Sequence, residues 1–220
     1  MQRLHIDIVG PLLQTKRRSR FILTLQCSFT KWAEAYAIPN QRASTRAKVL
    51  VKNWTCRFGV LDSMHSDQGR NFEPTVFQET CMLLGIDKTT STAYHPEGNG
   101  QVENLHWTMK SMLTASAEEQ PGSWDEQLDF CMMAYQSSVY ASTGHSPFEL
   151  IFGHEMQIPL DVMMGNAKET GSTYTKFVVD LRERLIQAHQ DVREKLKVAQ
   201  RRQKDAFDKG LSVPCTSQVT

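Results

Sequence analysis

The chain has 220 residues, 25 basic against 24 acidic side chains, and 40% hydrophobic and 9% aromatic content. That suffices for one domain with a real core plus a short appendage, a size at which roughly 70% of the unfolded surface is buried. The composition excludes disordered, collagenous and low-complexity classes, no apolar run nears the ~18 residues of a membrane span, and a net charge of +1 leaves any grip on nucleic acid to local patches.

In Arg3 to Val9 the apolar Leu4, Ile6 and Ile8 share one face of a strand, with His5 and Asp7 on the other; Gly10-Pro11 ends it. Phe21 to Leu25 is almost continuously apolar, the pattern of a strand buried on both faces, and the polar Gln14 to Ser19 stretch turns between the two. Trp32 to Ile38 completes an antiparallel meander. The period then changes. Ser44 or Thr45 caps a helix that carries Ala47, Leu50, Val51 and Trp54 and stops at Gly59. Val60 to Ser66 reads as a short strand, Pro74 to Gly85 as a helix and the threonine-rich Asp87 to Ala93 as a fifth strand. This is an α/β layout with a mixed sheet.

Gly98-Asn99-Gly100 leads into a helix with Val102, Leu105, Met109, Met112 and Leu113 on one apolar face. Ser123 with Glu126 predicts a capping box for a helix to about Ser137, and Ser146-Pro147 with Glu149 another for a short helix ending at Gly153. After Gly165 the chain turns polar, and Tyr174 to Lys209 reads as one long helix with Val178, Leu181, Leu185, Ala188, Val192 and Leu196 at spacings of three and four. Nine basic and five acidic residues between 181 and 210 fit a solvated amphipathic helix on the core, or a helical dimer or nucleic-acid contact.

The start, Met1-Gln2-Arg3-Leu4-His5, is neither a signal nor a transit peptide. Five scattered cysteines without a CxxC pair then read as reduced thiols acting as small buried hydrophobes, and no His/Cys cluster has zinc-site spacing, so no zinc is expected.

Three acids stand out by position. Asp7 lies on the polar face of the first strand, Asp67 just after the fourth, and Glu103 in the first turns of the helix after the glycine loop. If the two strands are neighbours, their ends bring Asp7 and Asp67 together. Converging carboxylates repel and push one another toward protonation unless a hard cation intervenes. Mg²⁺ takes oxygen ligands plus water, and a pair of such ions ~3.5–4 Å apart clamps an in-line phosphoryl transfer. For each acid taken alone, a solvated carboxylate is the competing reading.

The words around the acids add to this. His5-Ile6-Asp7-Ile8-Val9-Gly10-Pro11-Leu12, Phe29-Thr30-Lys31-Trp32 with Glu34-Ala35-Tyr36, and Arg57-Phe58-Gly59-Val60 resemble the integrase catalytic core of Gypsy-class LTR retrotransposons. So do His65-Ser66-Asp67-Gln68-Gly69-Arg70-Asn71-Phe72, Tyr94-His95-Pro96-Glu97-Gly98-Asn99-Gly100-Gln101-Val102-Glu103 and Thr143-Gly144-His145-Ser146-Pro147-Phe148, and Phe152-Gly153 continues the match. The resemblance runs in order over residues 2 to 209. It implies an RNase H-like α/β fold, a five-stranded mixed sheet flanked by helices with a C-terminal helical extension. Residues 1–160 would form the core, 161–210 the extension and 211–220 an unstructured tail.

The resemblance further implies a DDE polynucleotidyl transferase, with Asp7, Asp67 and Glu103 matching the metal-binding acids and two Mg²⁺ or Mn²⁺ ions as cofactors. In that family water first frees a 3′-hydroxyl near the element's DNA end, and this hydroxyl then attacks target DNA. His65, Gln68 and Asn71 would flank the metals, and with Asn99, Gln101 and Lys110 they are the candidate nucleic-acid contacts. Tyr94 to Gly100 would be the flexible loop of the site. Lys110, two helical turns after Glu103, is either a phosphate contact or an ordinary surface lysine. DNA and further copies of the chain are the expected partners; a membrane is not. Nuclear location follows only from the reaction.

The chain departs from the family after Glu103, where Asn104-Leu105-His106-Trp107 replaces a more basic stretch, leaving Trp107 either to stack on a base or to pack. The family's His/Cys zinc domain and small β-domain are not expected in these residues, so the reading is a core fragment with its acids intact. A non-catalytic descendant, binding nucleic acid or self-associating, is the alternative. An RNase H-type nuclease shares fold and metals but not the motifs around the acids.

Overall fold

The alternating run at the start becomes β1 (Arg3–Val9) of a computed structural model in which residues 2–66, 75–90, 100–117, 122–165 and 174–211 are described. β2 (Phe21–Cys27) and β3 (Ala33–Ile38) follow as the expected meander, antiparallel throughout, with Leu4 opposite Cys27 and Phe21 opposite Ile38. β4 (Ser63–Ser66) and β5 (Asp87–Thr90) then add in parallel on the other edge of β1, giving the order β3-β2-β1-β4-β5. Antiparallel neighbours need only a tight turn, here closed by Leu12 N donating to Arg20 O and Thr15 N to Ser19 O. Parallel neighbours need a crossover, which the intervening helices supply. β2 is buried on both faces, as its unbroken apolar run predicts, and Leu4, Ile6, Ile22, Leu23 and Leu25 form the centre of the core.

The first crossover begins earlier than expected. α1 (Ala43–Val49) is preceded by Arg42 at the cap, not by Ser44 or Thr45, because Asn40 organises the entry: its Oδ1 accepts both Arg42 N at 3.0 Å and Thr45 Oγ1 at 2.9 Å. A π-helical stretch, Leu50–Thr55, continues into the short α2 (Cys56–Phe58), and Gly59 (φ 84°) ends it. Ala47, Leu50 and Trp54 are buried as expected, whereas Val51 is exposed. The second crossover, α3 (Thr75–Leu83), buries Phe77 and Cys81 one turn apart; Pro74 and residues 91–93 lie outside the described residues. Cys27, Cys81 and Cys131 are buried free thiols, and Cys56 is exposed.

α4 (Gly100–Ala117) packs Leu105, Met109 and Leu113 inward at spacings of four, with α5 (Trp124–Ser137) against it and against β3. The capping box at Ser123 does not form: the residue sits at φ −114°, ψ 18°, away from extended cap geometry, and its side chain makes no cap bond. α5 is fastened instead by polar bonds to the sheet. Gln136 Nε2 donates to Ala33 O at 2.8 Å, and Gln26 Nε2 to the Tyr135 hydroxyl at 2.7 Å.

The chain divides into two compact units, Met1–Ser138 and Val139–Thr220. The second holds α6 (Pro147–Phe152), α7 (Pro159–Met163) and α8 (Tyr174–Leu211). Ser146 caps α6 by accepting Glu149 N at 3.1 Å. The reciprocal half of that expected box is replaced: Glu149 Oε2 lies 2.9 Å from His145 Nδ1. Gly153 closes α6 in the left-handed region, where an added Cβ would collide with Leu181 of α8. α8 turns Ala188 and Val192 into this unit's interior, and His189 Nε2 bonds Leu150 O at 2.8 Å. No helix among the described residues is long and apolar enough to cross a membrane.

Candidate active site

β1 is the central strand, and Asp7 is its first residue beyond the last pair with β4, Ile6 opposite Ser66. The residue after Ser66 is Asp67, which lies outside the described residues. Strand alternation puts Asp7 on the face of His5, opposite Leu4 and Ile6. Its Oδ1 accepts Ile8 N at 2.7 Å, and the carboxylate is half-buried.

A hydrogen-bonded link from β2 to α4 fixes this end of the strand. Thr24 is the direct cross-strand partner of Asp7, is 1% exposed, and donates its hydroxyl hydrogen to the Asp7 carbonyl at 3.2 Å. From α4, His106 sets Nε2 3.0 Å from that hydroxyl and Nδ1 3.6 Å from Asp7 Oδ2. Burial, reinforced by Lys110, lowers His106 from 6.5 to about 4, so the ring is neutral near pH 7. Sequence reasoning named Asp7 but missed Thr24 and His106. The available signal was helical spacing: His106 stands three residues after Glu103 on the same side of α4.

One step back along the strands, His5 and His65 are paired across β1 and β4, their rings 5.2 Å apart and edge-on at 71°. Burial, then His65, Arg3 and Lys31, lowers His5 to about 4; burial and then Arg3 lower His65 as well. His65 is 8% exposed and its Nδ1 lies 3.0 Å from Thr89 Oγ1. Glu103 and Gln101 lie in the first turn of α4, with side chains outside the described set; Gln68, Asn71 and Asn99 lie outside the described residues altogether. Lys110 is exposed on α4. Among the described residues no group of three or more His, Cys, Asp or Glu could hold a metal, a set that leaves out Asp67 and the Glu103 side chain.

Residues 1–96 match the family described as the integrase core domain. Over those residues the chain is similar to integrase cores. It is 24% identical over 206 residues to the retrovirus-related Pol polyprotein from transposon 412 of Drosophila melanogaster, an alignment covering 94% of this chain and 17% of that one. It is 33% identical over 135 residues to the Gag-Pol polyprotein of Feline leukemia virus, covering 61% of this chain and 8% of the polyprotein. The integrase-like segment thus spans less than a fifth of these relatives' own length. Among solved structures, the catalytic core domain of BIV integrase superposes with a TM-score of 0.54 at 22% identity, over 76% of this chain and 99% of that one. A chain of the simian T-cell lymphotropic virus intasome in complex with PP2A regulatory subunit B56 gamma superposes with a TM-score of 0.60 at 19% identity, over 72% of this chain and 56% of that one. The likeness to both is one of fold: the five-stranded mixed sheet flanked by helices is the RNase H-like fold of an integrase catalytic core.

Proposed function

We propose that this chain is the core of an integrase-type polynucleotidyl transferase acting on DNA, with Asp7, Asp67 and Glu103 holding two Mg²⁺ or Mn²⁺ ions. The strand register carries the reading: the last parallel pair, Ile6 with Ser66, is followed in sequence by Asp7 and Asp67, while α4, which bears Glu103, reaches β1 through His106. The donor chemistry fits a hard divalent ion, since Asp7, Asp67 and Glu103 offer the carboxylate oxygens that Mg²⁺ and Mn²⁺ prefer. Bound there, the ions would supply charge neutralisation at the phosphate and acidify the attacking hydroxyl.

The chain's own residues act by positioning. Thr24, bonded in turn to His106, holds the Asp7 backbone in place, and Lys110, exposed on α4, pairs with a neighbouring phosphate. Water cleaves one phosphodiester and leaves a 3′-hydroxyl. That hydroxyl then attacks a phosphodiester of target DNA, forming the new bond as the target's own 3′-hydroxyl departs. Gln68, Asn71, Asn99 and Gln101 complete the nucleic-acid contacts, whereas His65 is buried against His5 and Thr89. The reaction places the protein with chromosomal DNA in the nucleus, acting as a homo-oligomer.

The test is Mn²⁺-dependent phosphoryl transfer on a preformed branched DNA, the reverse of joining, with the full chain, Asp7→Asn and Glu103→Gln. Activity in the parent and none in either variant supports the proposal. Equal activity in all three, or silence from a folded parent, overturns it; silence leaves the non-catalytic binding protein as the reading.

A further inference from the structure

We propose that the tip of the β1–β2 hairpin, with Lys16, Arg17, Arg18 and Arg20, clamps the phosphate backbone of duplex DNA about six nucleotides from the phosphodiester at Asp7. The inference rests on the function proposed above and adds to it a remote contact, a grip on the helical arm outside the reacting step.

Four of the chain's 25 basic side chains fall between residues 16 and 20, and no acidic residue stands among them. All four are exposed, while Thr15 and Ser19, which frame the turn, are buried. Without these cations the net charge of the chain would be −3 rather than +1, so a near-neutral total conceals a segregated charge. A chain of this balance that grips a polyanion does so through such a patch. Among the described residues the side chains of Lys16, Arg18 and Arg20 make no hydrogen bond or ion pair. Arg17 lies 3.7 Å from Glu126 in a pair whose two side chains are 70% and 51% exposed, a contact weak enough to exchange for a phosphate.

The backbone supplies an independent observation. Arg18 stands in the left-handed region at φ 64°, a conformation that is free for glycine and costly for a residue with a β-carbon. A long cation where glycine would fit best serves nothing inside the turn, and the reason for it lies in what the guanidinium meets outside. The frame beneath is fixed. Thr15 N donates to Ser19 O at 3.0 Å, Arg18 N to Thr15 O at 2.9 Å and Ser19 N to Thr15 Oγ1 at 3.2 Å. The Thr15 hydroxyl donates to Asp125 Oδ2 at 2.9 Å and Trp124 Nε1 to Leu13 O at 2.7 Å, which fastens the hairpin to the start of α5. The cations are therefore carried on a preorganised turn, and little backbone ordering is left for the binding step.

The topology sets the distance from Asp7. β1 runs toward the hairpin, and the parallel β4 ends beside it at Ser66, so the tip extends beyond the sheet end at which Asp7 stands. Thr24, the cross-strand partner of Asp7, is six residues from Arg18, a span of about 20 Å in extended chain. Phosphates of one strand recur every ~3.4 Å along a duplex, which brings the backbone to the tip about six nucleotides from the reacting one. A duplex is stiff over that length and delivers its phosphates to a fixed place, which a flexible single strand does not. Residues 16 to 20 hold no aromatic or amide side chain to read a base edge, so the contact is to the backbone.

Fluorescence anisotropy of a labelled blunt duplex, titrated with the full chain without metal between ~50 and ~200 mM salt, counts the phosphates engaged through the slope of log affinity against log salt. Arg18→Gly is expected to reduce that slope by about 1, and the triple variant Lys16→Ala, Arg18→Gly, Arg20→Ala by about 3. Arg18→Lys should keep the parent's slope, and Arg18→Gly should melt no lower than the parent, since glycine is at home at φ 64°. On branched DNA, ethylating a phosphate about six nucleotides from the junction should weaken binding of the parent and not of the triple variant. An unchanged slope in the triple variant, or the same ethylation pattern in both proteins, overturns the proposal. Salt-sensitive self-association that the triple variant lacks, with its slope for duplex unchanged, overturns it too and assigns the tip to a second copy of the chain. A reduced slope without transfer on branched DNA removes the catalytic reading and leaves the clamp; transfer with an unchanged slope does the reverse.

Discussion

Replacing His5 by glutamine is expected to flatten the acid limb of the stability curve. His5 is 5% exposed in the central strand, with its ring edge-on to His65, and burial above all holds it at about 4 against an ordinary 6.5. The unfolded chain therefore binds a proton that the folded chain refuses between those two values. Stability attributable to His5 is present above about pH 6.5 and is lost as the pH falls toward 4. At 1.36 kcal/mol per pH unit, the gap from 6.5 to about 4 amounts to about 3 kcal/mol, of which about 1 kcal/mol is gone at pH 5.5 and about 2–3 kcal/mol at pH 4.5.

Urea unfolding of the full chain, followed by far-ultraviolet circular dichroism at pH 7, 5.5 and 4.5, measures this. The readout is the slope with pH, not the value at pH 7, so a uniform cost of the substitution does not enter. The parent should lose about 2–3 kcal/mol more than His5→Gln between pH 7 and 4.5. Parallel profiles would refute the argument, since His65 and His106, lowered in the same direction, remain in both proteins.

Thr24→Val keeps the shape of a fully buried side chain but withdraws the hydroxyl that joins the Asp7 carbonyl to His106, at an expected ~1–3 kcal/mol, or ~2–4 °C of melting temperature per kcal/mol, together with a fall in Mn²⁺-dependent transfer. An unchanged melting temperature with full transfer activity would show the Thr24 link to be idle. Ser146→Ala removes both the α6 cap to Glu149 N and the 2.9 Å bond from the Ser146 hydroxyl to Glu155 Oε2, and should cost ~1–2 kcal/mol in thermal unfolding.

The two ends of the strand-to-site argument were not equally legible in the sequence. β1 and β2 were, because alternation and unbroken apolarity are local patterns that burial on one or two faces imposes residue by residue. Helix starts were less so. Ser123 and Glu126 have the spacing of a box, but spacing does not set the backbone angles that bring a cap side chain to the N–H groups, and at the first helix Asn40, outside the apparent cap, took the role. The site divides along the same line. Asp7 could be read from its own strand, whereas the Thr24–His106 bond joins residues 82 apart and exists only once β2 and α4 lie on either side of Asp7. The same folding step decides Trp107. An indole in a helix is equally at home in a core or on a surface until the inner face is filled, and here Leu105, Met109 and Leu113 fill it.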